Sequence, residues 1–396
     1  MPKIVNRELV SVIAVTSLAV MAMSVLQPVT PLYLTSIGVN PAVLGLMFSL
    51  SMVGMVFGES SGGWLADRVG VRVPLGIGTF ACVPLVLSFV FTRDVPAIFV
   101  IFFFWGIVRA AVFGPGRGYI GSTVPLARKA TFMAVYAASM SLSRSLGSFI
   151  GGLVADALGY DWCFYAAAGI GLLGGAVVVF GLKRIPWNKS APVHQDPAAV
   201  MRPRGGAPYR SRRFLSQCAV GALNFTAIGV VVPFLPLLAV EVSGVDATEV
   251  GLLMTTSALV NAALLIPMGR LSDRRNKRAM MAIGLLVTGA GLAGLALAES
   301  YTGLIGAVVL QSVGGAMFGP AAVSLLSDTV PSHWQNTAMG VYGACEDIGV
   351  VAGAALGGLV WSTVGPPSTF LLVGTTAAVM GSLVTIAFVR RPKINP

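Results

Sequence analysis

Twelve apolar blocks, each about the 20 residues that a membrane-spanning helix needs, divide this 396-residue chain. They lie near residues 9–34, 42–66, 73–92, 97–122, 131–155, 162–182, 215–240, 247–269, 279–298, 302–327, 337–361 and 367–389, with short polar segments between them. The pattern predicts an all-α integral membrane protein with twelve transmembrane helices. Twelve spans need roughly 240 residues, which leaves short loops and no room for a soluble domain. The first block is too long for a signal-peptide core, lacks a clear cleavage site and is followed by further spans, so it is read as retained.

The blocks fall into two sets of six, because one unit is used twice. Gly63-Trp-Leu-Ala-Asp67-Arg68-Val-Gly70-Val-Arg72 recurs as Gly269-Arg-Leu-Ser-Asp273-Arg274-Arg-Asn-Lys-Arg278, 206 residues later. Pro28 and Pro31 recur as Pro233 and Pro236, Gly38 and Gly45 as Gly244 and Gly251, and Phe113-Gly-Pro115 as Phe318-Gly-Pro320. Val135-Tyr136 recurs as Val341-Tyr342, and Gly147-x-x-x-Gly151-Gly152 as Gly353-x-x-x-Gly357-Gly358. Both copies run the same way relative to charge, which makes them parallel repeats. The expected organisation is an N-terminal six-helix bundle over 1–182, a basic cytoplasmic linker over 183–214 and a C-terminal bundle over 215–396. The linker holds eight Lys and Arg, five prolines and a Gly pair, a composition that cannot bury a core.

Charge then sets orientation. Charged residues make up only 10% of the chain, against roughly 25% in soluble domains. Of the 26 Lys and Arg, Arg93 is external and Arg109, Arg117 and Arg144 lie within spans. With the N-terminus inside, the remaining 22 are cytoplasmic, which is the positive-inside pattern. The expected location is the cell inner (plasma) membrane, multi-pass, with both termini cytoplasmic. The net charge of +11 therefore follows topology and gives no reason to expect nucleic acid. Cys82, Cys163, Cys218 and Cys345 have no metal or disulfide spacing and read as small buried hydrophobes. No metal and no cofactor are expected.

The segment from Gly63 to Arg72 resembles the signature loop of the major facilitator superfamily, Gly-x-Leu-x-Asp-Arg-x-Gly-x-Arg, through Gly63, Leu65, Asp67, Arg68, Gly70 and Arg72. The second copy keeps Gly269, Leu271, Asp273 and Arg274, then places Asn276 where the pattern has Gly. Span count, parallel repeat and linker extend the resemblance over the whole chain. It implies two parallel six-helix repeats around a central cavity, a small-molecule substrate, a lipid bilayer around a monomer, and alternating access. It also implies that Gly63, Asp67, Arg68, Gly70, Arg72, Asp273 and Arg274 form a conformational latch. In physical terms, Gly63 allows close helix approach and Gly70 a tight reversal, while Asp67 can accept from exposed N–H groups at a helix N-terminus. The bland reading is that these charges only anchor the loop.

Ionisable residues within spans are functional candidates by default. Arg109 and Arg117 lie on span four, Arg144 on span five, and Glu346 and Asp347 on span eleven. The repeat counterparts of the acids are Met140 and Ser141, so the repeat did not impose these charges. Asp347, Glu346, Arg109 and Arg144 are the expected proton-coupling residues. The adjacent acids point about 100° apart, and Asp347 is the favoured cavity-facing one. A fixed ion pair with Arg144 or Arg109 is the bland alternative. Arg109 with Gly114-Pro-Gly116 resembles the span-four motif of proton-coupled drug antiporters, at a different spacing and without its Gln. Gly147-Ser148-x-x-Gly151-Gly152 resembles their span-five motif with Ser148 for proline, or serves close helix packing alone. Glu59 pairs with a loop arginine or is solvated.

By the resemblance, spans one, four, seven and ten line the cavity. Gln27, Tyr33, Arg109, Asn224 and Gln311 are the expected substrate-binding residues. Few polar groups in an apolar wall suit a lipophilic or amphiphilic cargo. The leading expectation is secondary active, proton-coupled efflux of small lipophilic or amphiphilic compounds. The alternative is a proton-coupled importer or exchanger of organic anions, with Arg109 and Arg144 as carboxylate clamps. A receptor or membrane-embedded enzyme without transport is the remote alternative; the sequence has no nucleotide loop or nucleophile–base pattern, and His194 and His333 read as solvated.

Overall fold

The computed structural model describes residues 7–124, 126–182, 211–330 and 335–388. The expected linker lies outside these residues up to residue 210, as do His194 and His333. Some side chains within helices also lie outside the description, among them those of Gly63, Asp67, Arg68, Arg117 and Asp273.

The described residues form twelve α-helices. The first six are α1 (Arg7–Ser36), α2 (Pro41–Val69), α3 (Arg72–Phe91), α4 (Val95–Thr123), α5 (Leu126–Leu158) and α6 (Tyr160–Gly181). The second six are α7 (Arg212–Ser243), α8 (Ala247–Arg274), α9 (Lys277–Ala296), α10 (Tyr301–Thr329), α11 (Gln335–Val364) and α12 (Pro366–Phe388). Among the described residues, ten helices are long and apolar enough to cross a membrane. The other two are α12 and α5, which carries Arg128, Lys129, Arg144 and Asp156. Helix is forced on such segments because hydrocarbon offers no partners for backbone N–H and C=O groups. Hydroxyls solve the same problem locally: Thr16 donates to the Val12 carbonyl at 2.8 Å, Thr30 to Leu26 at 2.7 Å and Thr79 to Leu75 at 2.8 Å. Large apolar side chains such as Ile77, Leu172, Leu173, Leu286 and Leu383 are exposed, as a lipid-facing surface requires and a soluble one rarely tolerates.

Packing divides the chain into two compact units: Met1–Asn188 with Ala239–Leu259, and Lys189–Leu238 with Val260–Pro396. The end of α7 and the first half of α8 thus belong with the first unit. In that unit Val12, Val15 and Ala19 of α1 meet Leu75 of α3, Val112 of α4 and Val178 of α6. An aromatic cluster joins α1, α3 and α6, with Phe89 stacked on Phe164 at 5.4 Å and Tyr33 edge-on to Phe164 at 5.1 Å. The second unit has its own core of Phe214, Met281, Leu285, Phe318 and Tyr342.

The sequence repeat is realised as a repeat of packing. A Cβ on Gly147 would strike the Met21 carbonyl, and one on Gly353 the Thr226 carbonyl. Gly151 sits on Val25 of α1, and Gly357 on Val230 and Phe234 of α7. So α5 closes on α1 as α11 closes on α7, through the same glycine pair. Gly78 against Val112 and Gly284 against Phe318 repeat the α3–α4 contact in α9–α10. These approaches are what a membrane interface uses for dispersion contact where no hydrophobic effect drives association.

The turns extend the pattern beyond what the sequence comparison found. Gly159 at φ +95° joins α5 to α6, and Gly365 at φ +110° joins α11 to α12, 206 residues later. The signature segment is mostly helix rather than connection. Helix α2 continues through residue 69, and Gly70 at φ +85° makes the reversal before α3. In the second copy Asn276 does this with an extended backbone, φ −68° and ψ 107°, and its side chain caps α9 by accepting from Arg278 N. That is the physical reason the second copy needs no glycine there.

Candidate functional site

Of the expected latch, the side chains of Gly63, Asp67, Arg68 and Asp273 lie outside the described residues. Arg274 is exposed at the end of α8. Arg72 Nη2 donates to the Val179 carbonyl at 3.0 Å, and Arg7 Nη2 to the Phe180 carbonyl at 3.4 Å. Both carbonyls lie in the last turn of α6, where the helix dipole and unpaired C=O groups favour a cation. Arg72 therefore pins the α2–α3 turn to α6 within the first unit.

The first unit carries a junction that the sequence reading did not single out. Asp156, in the last turn of α5, accepts from Ala247 N at 2.9 Å and from Thr248 N at 2.6 Å. These are the first two amides of α8, which have no partner inside the helix. Nearby, Glu249 accepts from Asp246 N at 3.2 Å, so the Asp246/Glu249 pair supplies half of a capping box and Asp156 supplies the rest. Backbones close below this cap: Gly152 abuts the Ala247 carbonyl, and Gly251 the Ser148 carbonyl. One turn further in, Thr255 donates to the Ser145 carbonyl at 2.9 Å. Ser148, in the place of the antiporter proline, is buried in this junction at 1% exposure. Asp156 comes from the first sequence repeat and α8 from the second, so this junction within the first unit joins residues of both copies.

Arg109 is half-buried on α4, and Arg144 is exposed on α5, one turn from Ser148. Gln27 is half-buried on α1. Tyr33 is buried, and its hydroxyl donates to the Phe89 carbonyl at 2.8 Å, so its ring and its hydroxyl are both engaged inside the first unit. Glu59 is exposed.

In the second unit Asn224 is 3% exposed, and its Oδ1 has no hydrogen-bond partner. Gln311 is buried on α10 against Gly291 of α9. Glu346 and Asp347 are both half-buried on α11. Glu346 lies one turn from the buried phenol of Tyr342, in electrostatic contact with it and with Cys218 of α7. The Tyr342 hydroxyl itself reaches over Gly221 of α7, without a partner of hydrogen-bond geometry. Cys218 also meets Cys345, and all four cysteines are free thiols. The structure thus sets Glu346 against α7, with Asp347 about 100° further round the helix. Cys218, which the sequence reading took for a small buried hydrophobe, and Tyr342, noted there only as part of the repeat, are electrostatic neighbours of Glu346. Among the described residues no cluster of His, Cys, Asp and Glu could hold a metal ion.

Known proteins match most of the chain. An uncharacterised MFS-type transporter of Methanocaldococcus jannaschii is 23% identical over 354 residues, covering 89% of this chain and 91% of that one. A putative tartrate transporter of Agrobacterium vitis is 24% identical over 372 residues, covering 89% and 80%. The multi-drug resistance efflux pump PmrA of Streptococcus pneumoniae is 32% identical over 173 residues, covering 42% of each chain. Among solved structures, the nucleoside transporter NupG superposes with a TM-score of 0.82 at 11% identity, covering 98% of this chain and 100% of that one, a likeness of fold. The Major Facilitator Superfamily model matches residues 12–217 and 217–396, and with twelve helices in two parallel six-helix repeats the chain belongs to that superfamily of membrane transporters.

Proposed function

We propose that this protein is a secondary active transporter that works by alternating access and couples proton entry to efflux of small lipophilic or amphiphilic compounds. The observation that supports the coupling is Glu346, a half-buried carboxyl on a membrane-spanning helix, one turn from the buried phenol of Tyr342 and in electrostatic contact with it and with the Cys218 thiol. An ionisable group at that depth is costly and is retained where it binds an ion or a partner. Asp347 beside it is the second candidate, with Arg109 and Arg144 as the cationic groups of the other repeat. Gln27, Asn224 and Gln311 are the proposed substrate contacts, and Asn224 has an unused buried acceptor to offer. Export of such cargo is supported by the likeness of 42% of the chain to a multi-drug efflux pump. The chain acts as a monomer in the inner membrane with both termini cytoplasmic, an orientation supported by its cytoplasmic arginines and lysines.

In this cycle Asp67 and its neighbours latch one face, and the α5–α8 junction around Asp156 latches the other. Asp67→Asn is then expected to lower transport while expression stays intact.

The decisive experiment records luminal pH in proteoliposomes under an imposed proton gradient while a panel of lipophilic compounds is added. Wild type is expected to dissipate the gradient in response to some compounds, and Glu346→Gln or Asp347→Asn to lose that response. A panel that moves no protons through wild type refutes proton-coupled efflux. The second reading, exchange of organic anions, is favoured by the full-length likeness to a putative tartrate transporter. It predicts that dicarboxylates, not lipophilic compounds, drive the proton flux, and that Arg109→Gln or Arg144→Gln abolishes it.

A further inference from the structure

A second polar site lies in the second unit, and Glu346 is not part of its lining. A cavity of about 520 Å³ opens between the start of α7, the α8–α9 turn and the end of α10. Four cations line it, Arg213, Arg275, Lys277 and Arg278, against one carboxylate, Asp328. Lys277 Nζ is held by Asp328 Oδ2 at 2.6 Å. That pair neutralises itself, and Arg213 and Arg275 remain as exposed guanidinium groups of the lining.

Two helix N-termini add to the field. Ser211 caps α7 by accepting from Phe214 N at 3.2 Å, and Asn276 caps α9. Both capping residues line the cavity, so the positive ends of a 32-residue and a 20-residue helix converge there with the side-chain cations. At the α10 C-terminus, whose carbonyl end carries the opposite sign, Thr329 Oγ1 donates to the Leu325 carbonyl at 2.7 Å and accepts from Gln217 Nε2 at 3.0 Å. Fixed backbone, two dipole ends and a cluster of guanidinium groups are the elements of a phosphate-binding site.

The same helix faces turn apolar one turn deeper. Leu215 lies four residues after Ser211 and is 54% exposed; Leu271 lies four residues before Arg275 and is 37% exposed. Residues four apart share a helix face. A ligand with a phosphate in the cavity could therefore lay acyl chains over Leu215 and Leu271.

We propose that this cavity binds a phosphate group, and that its source is the headgroup of an anionic phospholipid. The cytoplasmic leaflet is the one implied, because basic pockets at that face recruit anionic lipid. Only this choice of leaflet rests on the topology proposed above. Binding itself is independent of transport, so failure of the efflux proposal leaves it standing.

The test uses the purified full-length protein in neutral detergent and native mass spectrometry of bound lipid. The probes are dioleoyl phosphatidylglycerol, dioleoyl phosphatidylcholine and inorganic phosphate. Wild type is expected to retain phosphatidylglycerol over phosphatidylcholine. The double variant Arg213→Gln/Arg275→Gln should weaken that retention by roughly 10- to 30-fold, the share of two surface cations in attraction to anionic lipid. Asp328→Asn should act in the opposite sense, because it removes the one carboxylate lining the cavity and releases Lys277. A variant with raised affinity cannot be explained by misfolding. If millimolar inorganic phosphate displaces the lipid from wild type, the phosphate site stands and its source is a soluble anion. Equal phosphatidylglycerol retention in wild type and all variants overturns the proposal.

Discussion

Replacing Asp156 with Asn tests the α5–α8 junction with minimal change of shape. The carboxylate holds two α8 amides, at 2.9 and 2.6 Å, and its charge faces the positive end of the helix. Loss of an N-cap acceptor costs about 0.5–2 kcal/mol, and loss of charge at a helix N-terminus about 0.3–1 kcal/mol at exposed sites. Asn keeps one oxygen and can hold one of the two amides. Asp156 is exposed, so water takes up part of the loss. The net is about 1–2 kcal/mol, which shifts the balance of closed and open junctions about 5- to 30-fold. Hydrogen exchange reads this directly. In purified protein the peptide covering residues 245–254 should exchange faster by that factor in Asp156→Asn, and faster again in Asp156→Ala. The difference should shrink in 1 M salt, where the Debye length is about 3 Å. Unchanged exchange in both variants at low salt would falsify the junction as a latch and leave Asp156 a surface cap with no bearing on the cycle.

Paired glycines offer an internal comparison. Gly151→Ala drives a Cβ into the Val25 backbone, which cannot yield, whereas Gly357→Ala meets only the side chains of Val230 and Phe234, at 3.0 Å each. Overpacking of about 1–3 kcal/mol is expected for the first and less for the second, so Gly151→Ala should lower the thermal unfolding midpoint more; equal midpoints would refute the packing account. The reversal after α2 should depend on Gly70. Gly70→Ala forces an L residue to φ +85° at about 1–2 kcal/mol, while Asn276→Gly, which gives up a cap, should cost only a few tenths of a kcal/mol. Thermal unfolding in detergent separates the two, and a larger loss at Asn276 would contradict the distinct turn geometries.

The fold was legible because lipid imposes a single answer on a long apolar block. Span number, repeat and superfamily could all be read from runs of residues and from Gly63–Arg72 motif chemistry. The glycines of Gly147-x-x-x-Gly151 were visible as candidates for either a packing seam or a coupling motif, and the contacts with Met21 and Val25 show that they pack closely on α1. What stayed hidden depends on pairs of residues far apart in sequence. Asp156 and Ala247 are 91 positions apart, and nothing local to either announces the other. The same holds for Cys218 beside Glu346, and for Ser211 facing the α8–α9 turn. Asp347 was favoured over its neighbour from sequence alone, where nothing revealed that Tyr342 and the distant Cys218 interact electrostatically with Glu346.

The two copies of the repeat have aged unequally. Connections α1–α2 and α7–α8, like α5–α6 and α11–α12, still turn on glycines at positive φ in matching places, Gly38 with Gly244 and Gly159 with Gly365. At the α2–α3 and α8–α9 turns the match is broken, Gly70 having Asn276 as its counterpart. If the halves descend from one duplicated ancestor, stereochemistry has policed the glycine turns, where few residues can adopt the required backbone. The α8–α9 turn, released from that restriction by Asn276, was free to collect Arg275, Lys277 and Arg278 and to become a different surface from the α2–α3 turn.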